Sequence, residues 1–280
     1  MIKSLEKKFN KNGYVIAETK EKELLFKLQS KILELILASN KSARQNFKRF
    51  KNTKDFFTKL HKFISLSELN NFRVKIIKSI NNDDNFRENY YLVAKELLDE
   101  LVGNELAMQN KLNLSFQMPN DKNSQLPMHS DIYAGESPFE VVIWIPLMDV
   151  KANNQSMYIT SPKHNKQINK EVTTTKSKTL NQLYEKYKSK FKFLKINFGE
   201  VLIFTPILQH GNVVNTTNDT RISLNCRFKS LLSPYDVFSK THRNIPHFYR
   251  PLQIKAMTKI GFNFINGVKI NNYKINKKFK

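Results

Sequence analysis

The sequence predicts an antiparallel β sandwich or barrel, mainly β, with flanking helices packed on its outside. Two observations point there. From about residue 110 onward, seven apolar runs follow one another: LNLSFQM, FEVVIWIPLMDV, SMYIT, FKFLKINF, EVLIFTP, NVVNT and RISLNCRFKS. Turn residues separate them, without regular helices between, as in sheets of antiparallel strands. Before that point, apolar residues recur at helical spacing instead.

Taken in order, residues 1–18 end in GYVIAE, a short strand. Thr19 is placed to cap the helix that follows, with Glu21 and Glu23 favourable in its first turn. In that helix Leu25, Leu28, Ile32, Leu35 and Ile36 share one face. Segments 41–62 and 66–81 are polar with aromatics at helical intervals, which predicts further helices. Helix 86–102 carries the stripe Val93, Leu97, Leu98 and Leu101 and stops at Gly103. These helices have too little apolar surface for a domain of their own, so they are expected outside the β core. A polar, Lys-rich insertion at 161–192 interrupts the strands and is read as part helical. One domain is expected over 1–265: 1–110 mostly helical, 111–235 the β core, 236–265 a C-terminal segment. Residues 266–280 read as a solvated basic tail, and no internal repeat is present.

At 280 residues and 40% hydrophobic composition, the chain is long enough for a substantial core. One cysteine excludes an internal disulfide and a zinc-finger scheme. The formal charge of +23 admits nucleic-acid binding. The lysines are spread along the chain and arginine is scarce, so the charge reads as compositional and nucleic acid is not expected as a partner. The N-terminus lacks a signal-peptide core, and no run of about 18 apolar residues occurs. A cytoplasmic protein without a membrane span is expected, its oligomeric state open.

The chemistry concentrates in PMHSDIYAGESPFEVVIWIPL, residues 127–147. Residues i and i+2 of a strand point to one face, so His129 and Asp131 would project together from an extended HSD. They are two thirds of a two-histidine, one-carboxylate site, which leaves positions open on Fe(II). His210, in GEVLIFTPILQHGN, is the candidate third ligand; it follows an apolar strand, and sheet closure can bring it to His129. Eleven residues on, RISLNCR begins. Arg221, Ser223, Asn225 and Arg227 there alternate with Ile222, Leu224, Cys226 and Phe228. An unpaired buried arginine is costly. A dicarboxylate in the barrel mouth resolves it, with Arg221 clamping a carboxylate and Ser223 donating to it. Each piece alone has a structural reading, since HxD is common and a lone strand histidine is usually structural. The ordered set carries the iron-site reading.

With this set the chain resembles the Fe(II)/2-oxoglutarate dioxygenases of the phytanoyl-CoA dioxygenase superfamily. FNKNGYVIAE is similar to that superfamily's opening strand. LVGNELAMQNKLNLSFQMP, HSDIYAGESPFEVVIWIPLMD, SMYITSP and RFKSLLSPY resemble a narrower bacterial group, the sporadic carbohydrate cluster 2-oxoglutarate–Fe(II) oxygenases, which accompany surface-polysaccharide and sugar-biosynthesis genes. The resemblance implies a double-stranded β-helix, the cupin-like jelly roll. It implies Fe(II) on His129, Asp131 and His210, the distal carboxylate of 2-oxoglutarate on Arg221 and Ser223, and O2 as the other cosubstrate. For Gln117 it leaves two roles open, a cosubstrate contact or a core-edge hydrogen bond. Related halogenases carry a small residue in place of the carboxylate. Asp131 is present, so hydroxylation or a related oxidation of a small-molecule or carrier-linked carbohydrate is expected.

Tyr133, Glu136 and Ser137 follow the HxD motif in a loop and, with Arg227, are candidate substrate contacts; for Arg227 the alternative is a structural ion pair. Trp144 is expected in the core beside the site, and Cys226 as an inert small hydrophobe. His164, His242 and His247 read as surface histidines. Two other functions fit parts of the pattern. Alkylation-repair-like nucleic-acid dealkylases share HxD…H and two arginines six apart, as Arg221 and Arg227 are. A non-catalytic sugar-binding jelly roll would carry the same residues as a relict.

Overall fold

The computed structural model describes residues 2–174, 179–235 and 248–267, so His242, His247 and all but the first two residues of the basic tail lie outside the described residues. The helices are α1 (Ile2–Asn12), α2 (Lys22–Ser39), α3 (Lys41–Phe47), α4 (Thr53–Thr58), α5 (Leu66–Asn81), α6 (Asp84–Leu101), α7 (Pro162–Thr174), α8 (Leu180–Tyr187) and α9 (Ala256–Gly267). Side-chain caps set several of their starts. Asn40, Asn52, Ser65 and Asp83 each accept a backbone N–H that the first turn leaves unpaired, and Ser65 forms a capping box with Glu68. Because Asn52 starts a helix afresh, segment 41–62 is two short helices followed by a single 3-10 turn. Thr19 does not cap α2. Its hydroxyl donates to the Val93 carbonyl at 2.7 Å and accepts the Glu21 amide, which ties the chain to α6.

The strands are β1 (Tyr14–Glu18), β2 (Leu106–Gln109), β3 (Asn113–Gln117), β4 (Glu140–Pro146), β5 (Met157–Thr160), β6 (Phe191–Phe193), β7 (Glu200–Phe204), β8 (His210–Asn212), β9 (Arg221–Ser230) and β10 (Tyr249–Gln253). They form two antiparallel sheets. The larger runs β1-β7-β4-β9-β2-β10 with β3 also on β9, and the smaller runs β6-β5-β8. Of the apolar run NVVNT only Asn212 is in a strand. Beyond it side chains replace the ladder: Gln117 Nε2 donates to the Val213 carbonyl and Asn215 Nδ2 to the Gln117 carbonyl.

Strand alternation decides what each face meets. Val141, Ile143 and Ile145 of β4, Val201 and Ile203 of β7, and Ile222, Leu224, Cys226 and Phe228 of β9 pack with Leu28, Ile32, Ile76, Tyr90 and Leu98 of the N-terminal helices. The opposite face gives Val142, Trp144, Leu202 and Phe204, which meet Met157 and Ile159 of β5 together with Leu194 and Ile196. Both faces of β4 are covered, which is why it reads as an unbroken apolar run. Two facing antiparallel sheets of this kind are the jelly-roll arrangement expected. Helices hold 48% of the described residues against 22% for strands, yet the helices lie outside and the site lies between the sheets. No described helix is long and apolar enough to cross a membrane.

Candidate metal centre

His129 and His210 meet across an isolated antiparallel bridge. Each amide donates to the other's carbonyl at 2.9 Å, so the two side chains stand together on one face, with ring centroids 4.3 Å apart. Asp131 arrives by another route than strand alternation. It opens a 3-10 turn, Asp131–Ala134, that ends at Gly135 with φ +93°. The facing loop bends the chain there: the Asp131 amide donates to the Pro206 carbonyl at 3.0 Å, and Ser130 Oγ lies 2.9 Å from the same oxygen. The carboxylate nevertheless converges on the histidines. Its Oδ1 lies 3.3 Å from His129 Nε2 and 3.8 Å from His210 Nε2. The three ligand atoms all fall within 4.8 Å of one another, and no other such group of His, Cys, Asp and Glu occurs among the described residues.

The imidazoles are oriented by their own backbone. Nδ1 of His129 lies 2.8 Å from the Pro127 carbonyl and Nδ1 of His210 lies 2.9 Å from the Leu208 carbonyl. A carbonyl only accepts, so each Nδ1 carries the proton and each Nε2 presents a lone pair to the centre. Burial pushes the His210 pKa down to about 4, which keeps that ring neutral at physiological pH. Burial opposes the charge on Asp131, but the groups that face it, the Arg227 guanidinium among them, outweigh it and hold the carboxyl well below its ordinary range. Two neutral imidazoles and one carboxylate are the donor set of a facial Fe(II) site. The glycine after His210 has a steric cause. A Cβ on Gly211 would lie 2.6 Å from the Tyr158 hydroxyl and 2.7 Å from the Leu126 carbonyl, so β8 closes against these groups only with glycine there.

The triad opens on a cavity of about 550 Å3, which Arg221, Trp144, Ser115, Phe204 and Met157 also line. Arg221 is 3% exposed. Its Nη1 donates to the Gln155 carbonyl at 3.2 Å, its Nη2 to Ser115 Oγ at 3.3 Å, and its guanidinium lies 5.7 Å from the Trp144 ring centroid. No carboxylate of the described residues pairs with it, and its Nε and the hydroxyl of Ser223 have no partner among them. Burial lowers the Arg221 pKa to about 10, so it remains a cation at neutral pH. A buried cation with a donor left over fits a carboxylate ligand; Ser223, one alternation along the strand, is fully buried and does not itself line the cavity.

The other candidates divide. Gln117, fully buried opposite Arg221 in the β3–β9 register, spends its amide on Val213, and its Oε1 has no partner among the described residues. Glu136 faces Arg227, and Ser137 Oγ donates to the Pro234 carbonyl at 2.7 Å; both are buried. Tyr133 is 49% exposed, and none of these three lines the cavity. Arg227 does line it, and its Nη2 lies 2.9 Å from Asp131 Oδ2, so the ion-pair alternative describes its contacts. Trp144 sits in the inter-sheet core at the cavity wall. Cys226 is fully buried, and burial drives its thiol up to about 12. The residues not singled out from the sequence are the rim amides Asn123, Gln125 and Asn212, and the buried carboxylate Glu140. Polar residues just before HxD and just after HG were the available signal for the amides.

A sequence-family model described as phytanoyl-CoA dioxygenase matches residues 9–223, a span that holds the triad, Arg221 and Ser223. The chain belongs to the phytanoyl-CoA dioxygenase family. No curated protein matches it in sequence. Among solved structures, apo ThoJ, a non-heme monooxygenase, is 13% identical with a TM-score of 0.50, covering 82% of this chain and 79% of that one. EvdMO1 is 13% identical with a TM-score of 0.52, covering 81% of this chain and 50% of its own. SnoN, a non-heme α-ketoglutarate-dependent epimerase from nogalamycin biosynthesis, is 15% identical with a TM-score of 0.48, covering 84% and 85%. At these identities the likeness of this family member to ThoJ and EvdMO1 is one of fold. Arg227 lies four residues beyond the family match.

Proposed function

We propose that the chain is an Fe(II)- and 2-oxoglutarate-dependent oxygenase that oxidises a hydroxyl-rich small molecule, a sugar or sugar-linked intermediate. The observation that carries this reading is one cavity lined by both the compact His129–Asp131–His210 group and a buried Arg221 that has no carboxylate partner among the described residues. His129 and His210 would hold the metal through Nε2 and Asp131 through Oδ1. Arg221 and Ser223 would receive the distal carboxylate of 2-oxoglutarate. Bound there, Fe(II) with 2-oxoglutarate and O2 supplies C–H oxidation coupled to release of succinate and CO2. The chain positions the substrate and keeps water from the centre, and Trp144, Met157 and Phe204 give the cavity its apolar wall.

The substrate class is read from the rim. Asn113, Asn123, Ser124, Gln125, Asn212 and Asn225 line the same cavity, and Asp131 is the only carboxylate among the described residues that line it. Neutral amides and a hydroxyl suit a ligand with many hydroxyls. The motif resemblance to the carbohydrate-cluster oxygenases supports this; hydroxylation as the reaction and a cytoplasmic setting are part of the same proposal. The test is anaerobic titration of the Fe(II)-loaded protein with 2-oxoglutarate, followed by the visible metal-to-ligand charge-transfer band, with His210→Ala as control. A saturable band that His210→Ala abolishes is the expected result. Absence of both the band and saturable Fe(II) binding in the wild type overturns the reading. Succinate release is then screened over sugars and nucleotide sugars.

A further inference from the structure

The two oxygens of Asp131 have different partners. Oδ1 faces the two imidazole Nε2 atoms at 3.3 and 3.8 Å. Oδ2 is taken by Arg227 Nη2 at 2.9 Å. Arg227 in turn is held from several sides. Its Nε lies 3.5 Å from Glu136 Oε1 and 3.7 Å from Glu140 Oε1, and its Nη1 donates to Gln109 Oε1 at 3.3 Å. The β4–β9 register places it opposite Val142, in the middle of the larger sheet. Glu140 is fixed as well, because its Oε2 accepts from the buried Tyr249 hydroxyl. The guanidinium therefore sits in the sheet among these acceptors, and the loop carrying Asp131 and Glu136 packs onto it.

We propose that Arg227 is a positioning residue that restricts Asp131 to one ligating oxygen and so keeps open a position at the centre that the cosubstrate needs. The inference rests on the metal-site reading above and goes beyond it. A carboxylate binds a divalent ion through one oxygen or two. A three-ligand facial site is useful because the remaining positions stay open, and an aspartate that used both oxygens would take one of them. A guanidinium on Oδ2 prevents this by a charge-assisted hydrogen bond aimed at that oxygen alone. Glu136 and Glu140 do not reach the centre themselves; they keep the guanidinium from turning away.

The test uses the metal-free chain with Mn(II) as probe. It reads Mn(II) affinity, the water-proton relaxivity of the bound ion, and 2-oxoglutarate affinity of the loaded protein. Arg227→Met is expected to bind Mn(II) as tightly as wild type or more tightly. Its relaxivity is expected to fall by about a third, one of the roughly three open positions being lost, and 2-oxoglutarate is expected to bind at least about 3-fold more weakly, because the pairs of open positions fall from about three to one. Arg227→Lys, which keeps a charge near Oδ2, is expected to recover part of the 2-oxoglutarate affinity. If Arg227→Met does not fold, Arg227→Met with Glu140→Gln replaces it, since that pair removes the guanidinium and one carboxylate it neutralised. Unchanged relaxivity and 2-oxoglutarate affinity overturn the inference and leave the metal site standing. A loss of Mn(II) affinity of 10-fold or more also overturns it, because Arg227 then supports the ligands and does not restrict them. Failure of the wild type to bind Mn(II) or Fe(II) is a failure of the proposed function itself.

Discussion

Replacing Arg221 with methionine separates a ligand-binding cation from a structural one. Arg221 has no carboxylate to neutralise it among the described residues, and burial lowers its pKa from the ordinary arginine range to about 10. That difference corresponds to about 3 kcal/mol against the charged form in the folded chain. Methionine removes this cost and keeps most of the buried stem, while the hydrogen bonds to the Gln155 carbonyl and Ser115 Oγ are lost. Hydrogen bonds to a charged group contribute about 1.5–3 kcal/mol each, so the two effects offset. The apo protein is expected to lose no more than about 3 kcal/mol, or roughly 6 °C in Tm for a chain of this length. Binding has no such offset. A carboxylate that loses its buried partner costs about 2–5 kcal/mol, and at 3 kcal/mol 2-oxoglutarate binds the Mn(II)-loaded protein roughly 100-fold more weakly. Scanning calorimetry of the apo protein and titration calorimetry of the loaded protein measure the two quantities. A fall in Tm above about 6 °C with unchanged 2-oxoglutarate affinity would refute the reasoning, because Arg221 would then hold the fold and not a ligand.

Gly211→Ala is expected to lower Mn(II) affinity by about 10-fold or more and stability by about 1–3 kcal/mol. The added methyl must displace the Tyr158 hydroxyl or the Leu126 carbonyl and so shift His210; metal titration and thermal denaturation check both. Glu140 predicts a pH dependence. Burial raises its pKa from 4.5 to about 7, so between those values the folded state keeps a proton that the unfolded state releases. Its contribution is complete below about pH 4.5, is lost as pH rises toward 7, and amounts to about 3 kcal/mol. Glu140→Gln is expected to flatten that part of the stability profile and to raise Tm above pH 7; a profile identical to wild type counts against the assignment.

Much of the site was legible because its residues obey local rules. Alternation along RISLNCRF separates the polar face from the apolar face whatever the strand packs against, and the structure places Ile222, Leu224, Cys226 and Phe228 against the helices and Arg221 and Arg227 on the cavity. The stripe of α2 and the unbroken apolar run of β4 were readable for the same reason. Asp131 does converge on the two histidines, but by another local geometry than strand alternation. A strand was inferred from the i, i+2 spacing, whereas a turn held by the Pro206 carbonyl turns the carboxylate toward the histidines. Glu136 and Ser137 read as loop contacts for a substrate, and both are spent on the protein's own Arg227 and Pro234.

The sequence by itself determined the donor types, the two faces of each strand and which helices bury a stripe, because these follow from side-chain chemistry and from periods of 2 and 3.6 residues. Only the tertiary structure decided which donors meet. His129 and His210 become neighbours through a bridge between distant segments, Gly211 lets β8 close against Tyr158, and Asp131 Oδ2 finds Arg227 of β9 because the Pro206 carbonyl holds the turn that carries the aspartate. Those contacts depend on sheet closure, a long-range event that no local pattern encodes.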